Sequence, residues 1–113
     1  MTLYYNLPVY RDTYKLVLKI FAVTKSFSRE YKYALGQDMQ RDALQLVRNI
    51  YRANKVTQKQ AYLEAFLDIF EVLKLEIRLC VDLKLMPIKQ QADFAGLMAE
   101  IGKQITGWRN AAR

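Results

Sequence analysis

The stretch Tyr31–Asn54, Y-K-Y-A-L-G-Q-D-M-Q-R-D-A-L-Q-L-V-R-N-I-Y-R-A-N, carries two patterns at helical spacing. Leu35, Met39, Ala43, Leu46, Ile50 and Ala53 recur at steps of four and three, an apolar seam that predicts a core-facing helix. Arg41, Arg48, Arg52 and Lys55 recur at steps of seven, four and three. At about 100° per residue they fall within a sector of roughly 60°. Arginine forks match phosphate geometry, and a row of them along one helix can track a nucleic-acid backbone. These four are the candidate nucleic-acid residues. Asp38 and Asp42 are close enough on the same helix to neutralise part of the row, so the pattern alone leaves binding and solvation both open.

Working outward, the same periodicity recurs on both sides. Met1–Tyr5 reads as a lead-in, with Asn6 placed to cap a helix and Pro8 to occupy its first turn. Tyr10, Tyr14, Val17, Phe21 and Thr24 form one seam of that first helix, and Leu16, Ile20, Val23 and Phe27 a second. Its apolar face is therefore wide, with Arg11, Lys15, Lys19 and Lys25 opposite. Ser26–Glu30 breaks the pattern, and a serine there can start the next helix. Gly36, inside the second helix, costs about 1 kcal/mol relative to alanine. It implies either close approach of a neighbour or a fray point.

Thr57 and Gln60 have capping-box spacing and mark a third helix. Leu63, Phe66, Phe70, Leu73, Ile77 and Cys80 form its main seam. Ala65, Ile69, Val72, Leu79 and Leu83 form another, and only a strip with Glu64, Asp68, Glu71, Arg78 and Asp82 is clearly polar. So apolar a helix is expected at the centre of its bundle or buried in an oligomer. Pro87 separates it from a last helix with Phe94, Met98, Ile101, Ile105 and Trp108 in register; Gly102 and Gly107 suggest tight contacts or a loosening end. No run alternates as a strand would. The expectation is all-α: one antiparallel up-down four-helix bundle spanning residues 1–113.

The 113 residues suit one domain, and 52% hydrophobic content is too high for a disordered chain. Eighteen Lys and Arg against eleven Asp and Glu give +7, which favours anionic partners such as nucleic acid, anionic lipid or an acidic protein, or serves solubility. With no histidine and one cysteine, zinc sites and His-activated nucleophiles are ruled out. No glycine-rich phosphate loop precedes a helix. Carboxylates paired at helical spacing, Glu64 with Asp68 and Asp38 with Asp42, lack the histidines a di-iron bundle needs and read as solvated or salt-bridged. We expect no enzyme and no cofactor. The absence of a membrane-length apolar run or signal-peptide pattern points to a cytoplasmic protein with no membrane partner.

Lys74 and Arg78 are like charges four residues apart, a spacing that costs a few tenths of a kcal/mol unless Glu71 and Asp82 offset it. They border the apolar face beside Leu67, Leu75 and Val81, a composition typical of protein interfaces. Trp108 reads as a core plug, followed by Arg109 and Arg113 as a small basic tail. Tyr4, Tyr5, Tyr31 and Tyr33 can stack on bases or pack at helix ends.

L-P-V-Y at 7–10, Y-K-Y-x-L-G at 31–36, I-Y-R-A-N at 50–54 and I-T-G-W at 105–108 occur in that order. With the four-helix pattern they resemble the Avd family, the accessory variability proteins of diversity-generating retroelements. More distantly the chain is similar to four-helix proteins encoded in intervening sequences of large-subunit ribosomal RNA genes, whose role is structural or unknown. The Avd resemblance implies a homopentamer of four-helix bundles without catalytic residues. It also implies binding to the element's reverse transcriptase and to RNA or DNA, in support of mutagenic retrohoming. Leu73, Lys74, Ile77 and Arg78 match the family's L-basic-x-x-aliphatic-Arg pattern, so Lys74 and Arg78 are the implied reverse-transcriptase contacts.

Overall fold

The computed structural model of the protein describes residues 3–112. A 3-10 turn over Tyr4–Asn6 leads into α1 (Pro8–Lys25), whose first residue has no N–H to leave unsatisfied. Asn6 does not cap it: the cap position is Leu7, with no side-chain hydrogen bond. Ser26 closes α1, its hydroxyl donating to the Val23 carbonyl at 2.9 Å, and Ser28 takes the N-cap position of the next helical turn in extended backbone, without a side-chain hydrogen bond. An α-helical turn at Arg29–Tyr31, a π-helical segment at Lys32–Gly36 and α2 (Gln37–Lys55) then follow without leaving right-handed helical backbone. Gly36 is buried at the end of the π segment. A Cβ there would lie 3.5 Å from Thr24 Cβ and from Phe27 Cδ2, and 3.3 Å from the Tyr31 carbonyl oxygen. Gly36 is therefore packed rather than frayed: the tight contact is the Tyr31 carbonyl of its own helical segment, with Thr24 of α1 and Phe27 at ordinary van der Waals distance.

The capping box at Thr57 and Gln60 does not form. α3 (Gln60–Asp82) starts from Lys59 in helical conformation, with no side-chain cap. The Lys59 ammonium instead reaches back to the carbonyls of Ala53 at 2.8 Å and Val56 at 2.7 Å, satisfying the end of α2 with charge-assisted bonds. α3 ends in a Schellman motif: Lys84, at φ 62°, donates to the Val81 carbonyl and Leu85 to the Cys80 carbonyl. Pro87 then occupies the cap position of α4 (Ile88–Ala111).

Cross-helix contacts fix the directions. Gln40 meets Thr24, Met39 meets Cys80, Gly102 meets Phe70, and Asp12 meets Gln104 while Lys19 meets Phe94, so each neighbouring pair runs antiparallel. Around the bundle the order is α1, α2, α3, α4, with α4 closing back onto α1. Leu16 and Ile20, Met39, Leu46 and Ile50, Leu63, Phe66 and Leu73, and Phe94, Ile101 and Ile105 are fully buried. Burial of each such side chain is worth about 1.5–3 kcal/mol. Trp108 packs on this core half-buried, near the Lys59 ammonium.

On α1 the Leu16–Phe27 seam is buried, as are Val17 and Thr24 of the other seam, but part of the apolar arc of α1 and of α3 lies outside the core. Tyr14 and Phe21 of α1 are exposed, as is Leu18 beside them. On α3, Val72, Leu75, Leu79 and Leu83 form an open stripe at steps of three and four. A helix with two neighbours can cover only about half its circumference, so a wider apolar arc must reach solvent or another chain. α3 is thus not central to its own bundle. Among the described residues no helix is long and apolar enough to cross a membrane.

Candidate functional site

The Met39–Ala53 seam turns one side of α2 into the core, which leaves Arg41, Arg48, Arg52 and Lys55 on its outer side, all exposed. Their surroundings differ. Arg41 lies 3.2 Å from Asp38 and 3.4 Å from Asp42 and is neutralised on its own helix. Among the described residues, no carboxylate lies within salt-bridge distance of Arg48, Arg52 or Lys55. Arg48 and Arg52, like charges one turn apart, therefore repel without compensation, although Arg52 and Lys55 gain from the helix C-terminus.

Tyrosines border this half of the helix. Lys55 Nζ lies 3.2 Å from the Tyr51 hydroxyl and 4.8 Å from its ring centre. Tyr4 makes edge contacts with Tyr51, Tyr5 and Tyr10, at centroid distances of 5.2, 5.3 and 5.3 Å. Tyr10 in turn stacks on Tyr14 at 6.2 Å. Of the tyrosines singled out in the sequence, Tyr4 and Tyr5 join this cluster, whereas Tyr31 and Tyr33 precede α2 at its other end. Tyr51, which the sequence marked only as part of I-Y-R-A-N at 50–54, is the member of the cluster contributed by α2.

Lys74 and Arg78 occupy a separate surface. Each has the acidic neighbour that its spacing predicts, Glu71 at 3.0 Å from Lys74 and Asp82 at 3.7 Å from Arg78. Lys74 also rests 5.1 Å above the Phe70 ring and forms the rim of an α3–α4 groove of about 300 Å³ floored by Ile77, Phe94 and Met98. The small side chains Ala95 and Ala99 keep it open. Arg109 does not belong to a free tail: it sits in the last turn of α4, 3.9 Å from Glu64. Arg113 lies outside the described residues.

By residue type Glu76 carries no signal in the sequence that sets it apart from the other carboxylates of α3. It lies roughly 120° around α3 from the polar strip, at the edge of the core seam, and is buried between α3 and α2. It hydrogen-bonds Asp42, while its Oε1 atom has no partner. Burial, that bond and the charges of Asp42 and Asp38 push its pKa up to about 8, against the pull of Arg41. The upward shift favours the protonated carboxyl, the form that can donate to Asp42 and tie α3 to the Arg41 end of α2. Asp42 is accordingly more than the solvated or salt-bridged carboxylate that the sequence suggested. Cys80, one turn on, is buried against Met39, its pKa raised to about 11 by burial and by Glu76, which makes it a poor nucleophile. Among the described residues no cluster of acidic or cysteine side chains could hold a metal ion.

These surfaces offer electrostatic and apolar contacts, presented on an antiparallel bundle. The family model described as bAvd-like matches residues 9–112, nearly the whole chain and all four helices. No curated protein and no solved structure matches. The match spans Y-K-Y-x-L-G, I-Y-R-A-N and I-T-G-W, the motifs that carry the resemblance, together with Lys74 and Arg78. By its sequence, the chain belongs to the bAvd-like family.

Proposed function

We propose that this chain is a non-enzymatic accessory protein of a diversity-generating retroelement, one that holds the element's reverse transcriptase and nucleic acid together during mutagenic retrohoming. Family membership over residues 9–112 carries the reading. The +7 charge supports it, because an excess concentrated on outer helix faces attracts phosphate backbones. Arg48, Arg52 and Lys55 are the strongest members of the proposed nucleic-acid surface, and Arg41 is its weakest. Lys74 and Arg78, beside an apolar groove, are the proposed contacts for the polymerase.

The same reading has the chain working as a homopentamer. The open stripe on α3 and the Leu18–Phe21 edge of α1 lie across the bundle from one another. Two different apolar surfaces on opposite sides are what a head-to-tail ring needs. Light scattering should give a mass of about five chains; a stable monomer at micromolar concentration would remove the ring.

Co-purification with the reverse transcriptase encoded beside this gene tests the function directly. Wild type should be retained, and Arg78→Ala or Lys74→Ala should reduce recovery severalfold. Equal recovery of all three would move the polymerase contact elsewhere. Loss of wild-type recovery itself would count against the accessory role.

A further inference from the structure

We propose that the tyrosine cluster where α1 begins and α2 ends is a stacking platform for unpaired bases, flanked by Arg48, Arg52 and Lys55 as phosphate ligands, so that this surface takes single-stranded rather than duplex nucleic acid. The inference rests on the nucleic-acid reading above and names the class of strand. Tyr5 and Tyr51 are 49% and 42% exposed, so about half of each side chain faces water at the margin of the cluster. Tyr4, held edge-on by Tyr5, Tyr10 and Tyr51, is the hub that fixes their orientation.

On the α2 surface Arg48 stands three residues before Tyr51 and Lys55 four residues after it, so cations flank the ring on both sides. Lys55 is within hydrogen-bond reach of the Tyr51 hydroxyl and lies over the outer edge of one face of its ring, 4.8 Å from the centre, which holds a positive charge beside the ring. Exposed rings and uncompensated like charges are each unfavourable in water. A strand with phosphates and free base faces removes both penalties together. A duplex hides its base faces and could meet only the cations. Sequence-tolerant stacking on aromatics beside a basic track is how proteins hold single strands.

Fluorescence anisotropy on the full chain tests this, with three probes of equal length: an oligothymidine, the same strand with abasic sites throughout, and a duplex. The oligothymidine should bind about tenfold tighter than the abasic strand. Tyr5→Leu with Tyr51→Leu should abolish that advantage while leaving abasic and duplex binding unchanged. Tyr51→Phe, which keeps the ring, should retain the advantage and serves as the folded control. Equal affinity for oligothymidine and the abasic strand overturns the platform and leaves the nucleic-acid reading standing. Binding to none of the probes overturns both. A change in oligomer size in the leucine variants, with the oligothymidine preference intact, would show the cluster to be a protein contact and also overturns the platform.

Discussion

The two halves of α2 carry the same sequence signal and have different physical surroundings. At the first half, Arg41 is held by Asp38 and Asp42, and Asp42 also accepts a hydrogen bond from buried Glu76 across the α2–α3 seam. At the second half, Arg48, Arg52 and Lys55 have no carboxylate in reach among the described residues and stand beside a ring cluster assembled from the chain start and α2. A charge whose field is already neutralised has little left to offer a phosphate. A row of arginines is thus a poor guide to a binding surface until the acidic neighbours of each member are known.

The largest expected effect tests that contrast. Arg48→Gln, Arg52→Gln and Lys55→Gln together should weaken nucleic-acid binding by roughly 30- to 100-fold at moderate salt, and lower the salt-dependence slope by about 2–3. Arg41→Gln should change affinity by less than about twofold, since its charge is already compensated. A gel-shift salt series on both variants decides; comparable losses would erase the distinction between the halves.

Glu76→Gln probes the first half alone. Raising an acid's pKa on folding adds stability that is complete below its unfolded value near 4.5 and is lost as pH climbs through its folded value of about 8. Wild-type unfolding free energy should therefore fall from pH 5 to pH 9. Glu76→Gln, which still donates to Asp42 but cannot ionise, should be more stable at high pH by about 1–3 kcal/mol and flatten the profile. Chemical denaturation across that range would show it, and a wild type insensitive to pH would contradict the buried carboxyl pair.

Lys59→Met removes the ammonium that closes the second half of α2 and should cost about 1–2 kcal/mol, read as a lower denaturation midpoint at unchanged slope. The smallest effect sharpens the comparison from the opposite side. Asp38→Asn releases one of Arg41's partners and should raise nucleic-acid affinity by about two- to threefold. No change at all would mean that Asp42 alone suffices to hold Arg41.

The bundle itself was legible in the chain because burial repeats along a helix with its period. The seams Met39–Ala53, Leu63–Cys80 and Phe94–Ile105 are buried throughout, as four-three spacing requires. Caps were less legible. Asn6 and Thr57 have capping chemistry yet cap no helix N-terminus, and Ser28 takes a cap position without a side-chain hydrogen bond. A cap depends on one local backbone conformation, and here neighbouring carbonyls and the long reach of Lys59 compete for the same ends. Tyr14 and Phe21 of α1 and the second seam of α3 show the limit of periodicity: it reports that a face is apolar, but not whether this chain has anything to put against it.

The helical class, the inward faces and the family motifs follow from residue type and spacing along single helices and can be read without coordinates. Which arginines lack a carboxylate partner, the burial of Glu76 against Asp42 and the meeting of Tyr4, Tyr5, Tyr10 and Tyr51 emerge on folding. Those outcomes depend on distances between different helices or between side chains in chosen rotamers. Electrostatic and ring contacts fall off within a few ångströms, a scale that spacing along one helix does not specify.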